Sequence, residues 1–383
     1  MKGRVAAAGL ILLAGLCVVA SSACAETVVR IAHIASYTGP LAILGHDGGN
    51  GAKLAVQELN ERRLTLQGAA ARFELIQLDD GSDPKRAVEH ARRLCEQKVN
   101  AVIGPFNASV SAAVTKVFSQ CGIPIISPSP KADTSGFKTA FRIVPDEKTM
   151  TDALVRYAAS RLLISRVITV EDRTPGGRDL AEEFKRAARG AGITVVDAWS
   201  TPASSSDFSG LTVMLKAQRA DAIYLTLQDQ QAVRLLRQLE RERITNVPIL
   251  VADVTCTEEL GRLAQNLRNG RSVVCATPHG DPESTARGRD WRAKYEQQFP
   301  KAFQGPSAST YDAVMMFAEA MRRAGSADPR AYSPALRQIE YRGITGIIQF
   351  NANGELVRPP VTLSSYSDTG RRMFLSQGVG DKP

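Results

Sequence analysis

A chain of 383 residues that is 44% hydrophobic, 23% charged and 6% aromatic has ordinary globular composition and enough length for two domains. Its formal charge of +9 is spread along the chain. No basic run interleaved with aromatics is present, which argues against a nucleic-acid partner.

Residues 1–25 read as a secretory signal peptide. Lys2 and Arg4 precede an apolar run over residues 5–20, and Ala23-Cys24-Ala25 is a small-residue cleavage pattern. The run is short for a membrane span, and no later stretch is long enough to be one. Lipid attachment through Cys24 is the weaker alternative, because Ser21 stands where such signals usually carry Leu. Removing the leader leaves 46 basic side chains against 39 acidic ones, a charge of +7.

Residues 28–33 then predict a strand, followed by the loop Ser36-Tyr37-Thr38-Gly39-Pro40. His46 opens a glycine-rich loop, after which Gly51, Ala52, Leu54, Ala55 and Leu59 fall at helical spacing. Residues 73–78 predict a strand that ends at Asp79-Asp80-Gly81. A helix follows, with Asp83 as N-cap and Pro84 in its first turn. The stretch 101–131 holds an apolar run, the turn Gly104-Pro105, a helix-period segment, a second apolar run at 123–126, and the loop Ser127-Pro128-Ser129. Past residues 141–144 the pattern restarts. Strands at 167–170, 194–199, 222–227 and 249–251 alternate with helices, one over 181–191 and one capped by Ser205-Ser206-Asp207. An apolar run at 273–276 precedes helices around 291–297 and 311–324. A strand at 347–350, an Asn353-Gly354 turn and a strand at 361–366 close the pattern. This alternation predicts an α/β fold of doubly wound parallel sheets, too long for one sheet, so two similar lobes are expected with a boundary near residues 143–146.

Loops 104–111 and 127–132 lie at the carboxyl ends of strands, where ligands collect in open α/β sheets. The first also opens a helix, whose free N–H groups favour an anion such as a carboxylate. Elsewhere strands end in Asp79-Asp80, Glu171-Asp172, Gln228-Asp229 and Asp253. Together these ends predict a cleft lined with hydrogen-bonding groups and a few acids, suited to a small zwitterion.

No enzyme motif is legible, and no catalytic residue, metal site or cofactor is expected. Gly48-Gly49-Asn50-Gly51-Ala52-Lys53 lacks phosphate-loop spacing, so its glycines are read as letting a helix start close to a neighbouring backbone. Neither G-x-S-x-G nor H-E-x-x-H occurs. Among the histidines, His90 is placed on a solvated helix face, His279 in a loop, and His46 near a cleft. Beyond the leader remain Cys95, Cys121, Cys256 and Cys275, an even number that in an exported protein predicts two disulfides. Three pairings are possible. Cys95–Cys121 and Cys256–Cys275 are preferred because each joins the flanks of one α/β unit, with buried free thiols as the alternative.

A set of short stretches recurs in a familiar order. Ser36-Tyr37-Thr38-Gly39-Pro40 with Gly45, Asn50-Gly51-Ala52-Lys53-Leu54-Ala55 and Asp79-Asp80 with Asp83-Pro84 come first. Val102-Ile103-Gly104, Ile123-Pro124-Ile125-Ile126-Ser127-Pro128 and Phe141-Arg142 follow. Asp172-Arg173-Thr174 with Gly177, Asp207-Phe208 and Tyr311-Asp312-Ala313 complete the order. Over residues 28–366 the chain thereby resembles the periplasmic solute-binding proteins of branched-chain amino-acid ABC transporters, the type I leucine/isoleucine/valine-binding group.

The resemblance implies two Rossmann-like lobes joined by three crossovers that act as a hinge. Lobe 1 would span 26–145 with 276–350, and lobe 2 146–275 with 351–383. It implies a monomeric periplasmic protein that closes on a ligand and delivers it to a permease. In that family a Ser and a Thr of the central loops hold the ligand carboxylate, and an acid of lobe 2 holds its ammonium. Here the acid falls on Asp253, the Ser on Ala108 with Ser109 beside it, and the Thr near Lys131. Two aromatic positions fall on Leu44 and Gly176, departures that predict a reshaped pocket. The expected contacts are Asp253 for the ammonium, and Asn107, Ala108, Ser109 and Lys131 for the acid end. Tyr37, Ser129, Asp172 and Gln228 would line the sides. An amino acid is the expected ligand. The alternatives are a sensing module of the same fold, or a binder of a small carboxylate or amide.

Overall fold

The structure, a computed structural model, describes residues 26–39, 41–202, 204–245, 247–270, 272–300 and 303–379; the expected signal peptide lies outside them. Among the described residues, no helix is long and apolar enough to cross a membrane.

The first sheet is built from β1 (Thr27–Ala35), β2 (Thr65–Leu66), β3 (Ala69–Asp79), β4 (Ala101–Ile103), β5 (Ile125–Ser127) and β6 (Ala140–Arg142). Its order is β2-β3-β1-β4-β5-β6, parallel apart from the β2–β3 hairpin. Helices α1 (Ala42–Glu61), α2 (Pro84–Glu96) and α3 (Ala108–Cys121) connect its strands. β1 and β3 pair from Thr27↔Ala71 to Ala35↔Asp79, so their two following loops emerge side by side. Those loops are tied there: Ser36 Oγ donates to Asp80 (2.6 Å) and Tyr37 N–H to Asp79 (2.8 Å).

The second half comprises α4 (Glu147–Ser160), β7 (Arg166–Glu171), α5 (Pro175–Gly190), β8 (Thr194–Ser200), α6 (Ser209–Gln218), β9 (Ala222–Thr226), α7 (Asp229–Arg241), β10 (Ile249–Val251), α8 (Glu258–Ala264) and β11 (Val273–Thr277). The chain then returns to the first sheet. Trp291 and Tyr295 of α9 (Ala286–Gln298), Val314 and Met321 of α10 (Pro306–Ala324) and Leu336 of α11 (Pro329–Gln338) share a core with Val29, Ile31 and Phe73. A ribbon of β12 (Glu340–Arg342) and β13 (Ile347–Gln349) follows. Finally β14 (Pro360–Tyr366) and β15 (Arg372–Val379) add antiparallel to β11, giving the order β15-β14-β11-β10-β9-β7-β8. The chain therefore passes between the sheets three times. The first and third passages touch: Arg142 N–H donates to Gly354 O (2.8 Å), and the Arg142 guanidinium donates to Glu355 (2.7 Å).

Both preferred disulfides are present. Cys95–Cys121 joins the last turn of α2 to the end of α3, and Cys256–Cys275 joins the segment after β10 to β11, with Cα separations of 6.0 and 5.6 Å. In the chain-entropy view, closing loops of 26 and 19 residues contributes roughly 3 kcal/mol each.

Several elements depart from expectation. α1 begins at Ala42, so His46 and the glycines lie within a helix and not in a loop. A Cβ on Gly45 would sit 2.0 Å from Ser36 O, and one on Gly51 2.1 Å from Ser307 O. The glycines thus allow two backbones to approach α1, as the sequence reading held, and this packing overrides their poor helix propensity. Asp47 fastens the same face: buried, it accepts from Tyr295 Oη (2.5 Å) of α9 and Ser307 N–H (2.8 Å) of α10. α5 starts at Pro175, earlier than expected, with Thr174 accepting from Gly177 N–H. α6 starts at Ser209 with Phe208 in the capping position, while Asp207 accepts from Ser209 N–H. His90 is half-buried and its Nε2 meets Asp79 O at 3.0 Å, so it is not a freely solvated side chain. α4, α11 and β15 had no counterpart in the sequence reading.

Replacing Gly51 by Val should lower stability by about 1–3 kcal/mol in urea unfolding, because backbone must move to make room. Gly190→Ala, at a helical position with nothing within 4 Å of the added Cβ, should leave stability level or raise it by up to about 1 kcal/mol.

Candidate functional site

Loops at the carboxyl ends of both parallel sheets carry the expected contact residues. Several of them are engaged within the fold. Tyr37 is one of these. Its hydroxyl lies 2.6 Å from both His33 Nδ1 and Gln77 Nε2, and a Cβ on Gly49 of α1 would sit 2.5 Å from it. Burial lowers His33 to about 4, so its ring is neutral at physiological pH, and burial raises the Tyr37 hydroxyl well above its ordinary value. The hydroxyl of Tyr37, expected at the side of the cleft, is thus engaged by His33 and Gln77 beneath α1. His46 is exposed on the first turns of α1, with its ring edge-on to Tyr37 at 5.2 Å.

The first central loop is organised by a helix cap. Asn107 caps α3, its Oδ1 accepting from Ser109 N–H (3.0 Å), Val110 N–H (3.4 Å) and Ser109 Oγ–H (2.8 Å). The amides expected to hold an anion are largely taken by this cap, and Ala108 N–H is left outside it. Ser129 is buried, and its N–H donates to Ser127 Oγ, which itself donates to Pro105 O. Asp172 closes a local turn, accepting from Thr174 N–H (3.0 Å) and Thr174 Oγ–H (2.6 Å). Gln228 occupies the capping position of α7, exposed and without a side-chain cap bond.

Lys131 and Asp253 converge on a residue that the sequence reading missed. Lys131 Nζ lies 3.1 Å from Glu147 Oε1, in the first turn of α4. Glu147 and Asp253 line one narrow cavity of about 10 Å³, with room for about one water molecule. Its walls are Met150, Thr151, Leu154, Leu180, Tyr224, Val251, Ala252 and Ala276. Tyr224 stacks on Phe184 at 3.9 Å, which fixes the floor. Asp253 is half-buried. Burial first, and then the negative charge of Glu147, raise it to about 6, against the opposing pull of Lys131. Glu147 is raised by burial, and Lys131 offsets only part of that rise. Two carboxylates thus share one ammonium. Asp146 as N-cap followed by Met150, Leu154 and Ala158 at helical spacing was the available sign of α4, and with it of Glu147.

A wider groove of about 1030 Å³ lies between α9 and β14–β15. Two of its basic groups are already engaged, Arg292 with Glu296 (2.7 Å) and Arg372 with Glu258 (3.4 Å).

The periplasmic binding protein family model matches residues 28–371. The chain belongs to the periplasmic binding protein family. The Leu/Ile/Val-binding protein BraC3 of Rhizobium johnstonii is 28% identical over 346 residues, covering 88% of this chain and 91% of that one. A leucine-, isoleucine-, valine-, threonine- and alanine-binding protein of Pseudomonas aeruginosa is 26% identical, with coverage of 88% and 89%. This periplasmic binding protein also shares its fold with the branched-chain amino-acid transporter protein LivJ of Streptococcus pneumoniae, solved with isoleucine (TM-score 0.77, 21% identity, coverage 92% and 99%). It likewise shares the fold of a solute-binding protein of R. palustris solved with benzoate (TM-score 0.73, 16% identity, coverage 92% and 97%).

Because folding raises Asp253 from an ordinary 3.8 to about 6, the folded chain holds that proton more tightly than the unfolded one. Its contribution to stability is full below the ordinary value and is lost as pH rises through about 6. Asp253→Asn should therefore raise ligand-free stability at neutral pH, by on the order of 2 kcal/mol, and flatten the fall in urea midpoint between about pH 4 and 7.

Proposed function

We propose that this periplasmic binding protein captures a small solute bearing an ammonium group, an amino acid above all, in a cleft between two lobes and hands it to the permease of an ABC importer. The lobes would each be organised on one sheet: residues 26–145 with the stretch after β11 through 350, and residues 146–277 with 351 onward. The three passages between the sheets would act as the hinge on which the cleft closes.

The observation that carries this reading is the half-buried pair Glu147 and Asp253 lining one cavity, with Lys131 as the cation paired to them. A ligand ammonium supplies positive charge to that pair. It offsets the burial and the Glu147 charge that together raise Asp253, and the walls beside it are mostly apolar. The named ligands of the curated relatives, leucine, isoleucine, valine, threonine and alanine, agree with this chemistry. A leader on residues 1–25 would bring the chain to the compartment that the family name implies.

Thermal unfolding with a panel of amino acids, aliphatic amines, amides and carboxylates tests the reading. A true ligand at ~100 times its dissociation constant should stabilise the protein by roughly 2.7 kcal/mol. Asp253→Ala should abolish that shift, and Glu147→Gln should weaken affinity about tenfold, as expected for loss of one of two charges facing the ammonium. Hits confined to molecules without an ammonium would contradict the assignment.

A further inference from the structure

We propose that Lys131 is an internal stand-in for the ligand's ammonium, and that binding is an ion-pair exchange selecting zwitterions: the ligand ammonium displaces Lys131 from Glu147, and the freed lysine takes the ligand carboxylate. The proposal rests on the ammonium-binding reading of Glu147 and Asp253.

Four observations lead to it. First, Lys131 belongs to the loop after β5, whereas Glu147 opens α4, so their 3.1 Å contact bridges the first passage between the sheets. Second, the backbone beneath Lys131 is held by the fold, while its ammonium is tied only through a flexible side chain. Arg142 Nη1 donates to Ala132 O (3.0 Å) and Ala132 N–H to Ser129 O (3.1 Å), yet the lysine side chain is 38% exposed on a flexible four-carbon stem. Third, the pair is only partly buried, so water still screens it and it is open to exchange. Fourth, the two central loops offer few amide donors for a carboxylate. In the first, Asn107 occupies the Ser109 and Val110 amides and leaves that of Ala108; in the second, Pro128 and Pro130 have none. The exchange keeps the net charge unchanged: both acids then face the ligand ammonium, and Lys131 faces the ligand carboxylate. An amine without a carboxylate would displace Lys131 with nothing to receive it, and a carboxylate without an ammonium would take Lys131 from Glu147 and leave both acids bare.

Calorimetric titration of the wild type, Lys131→Met and Glu147→Gln with L-leucine, 3-methylbutylamine and 4-methylpentanoate tests this, the last two being leucine without its carboxylate and without its ammonium. The wild type should prefer leucine to both analogues. Lys131→Met should lose about tenfold or more for leucine, the loss of one charge-assisted contact, while its affinity for the amine holds or rises because the competing cation is gone. Glu147→Gln should weaken leucine and the amine alike. Leucine affinity within about twofold of wild type in Lys131→Met, or equal weakening of leucine and amine, would show an ordinary surface ion pair and overturn the exchange while leaving the ammonium site standing. Absence of binding by all three probes to the wild type would remove the ammonium reading and the exchange together.

Discussion

The candidate site is governed by a shortage of positive charge. Glu147 and Asp253 line one narrow cavity, and Lys131 is shared between them from outside it. A half-buried carboxylate without a full counter-ion either takes up a proton or waits for a cation, because burial penalises the bare charge. The rise of Asp253 to about 6 marks that tension. A protein built only for stability gains nothing from it. A protein built to take up an ammonium-bearing solute does, since the ligand completes what the fold leaves unpaired.

The scaffold explains why these three groups meet. Parallel strands deliver their following loops to one edge of each sheet, so the loop after β5 and the segment after β10 are both available at such ends. The first passage between sheets then places the start of α4 next to both. Arg142, buried at the end of β6, ties this passage to the third one through Gly354 and Glu355 and holds the Lys131 loop through Ala132. The disulfide Cys256–Cys275 anchors the chain three residues beyond Asp253 to β11. Asp253 therefore stands on a short, cross-linked segment.

Local chemistry was legible in the sequence and long-range contact was not. Asp83 before Pro84 announced its helix, and the structure shows Asp83 accepting from Lys85 N–H at 2.8 Å. The cysteine pairs joined near neighbours and formed as expected. The α/β alternation and the ordered motifs led to the family. The glycine-rich opening of α1 read as a loop because its helical state depends on Ser307, far along the chain. Tyr37 and Asp172 read as ligand contacts because their residue types suit that role, whereas the structure gives their polar atoms to His33, Gln77 and Thr174. Asn107 is the instructive error. An Asn at the head of a helix competes for the same amides as an anion, and its capping role could have been read locally. Glu147 escaped notice because its importance comes from Lys131 and Asp253, which only the fold brings near it.

The central claim is that the ligand supplies the missing positive charge at Asp253. The most direct test is the number of protons released on binding leucine near pH 6, obtained by calorimetry in buffers of different ionisation enthalpy. With Asp253 at about 6 before binding and lowered by the incoming ammonium, about half a proton should be released per leucine bound, falling towards zero by about pH 8. Leucine binding with no proton exchange across that range, or with proton uptake, would contradict the account.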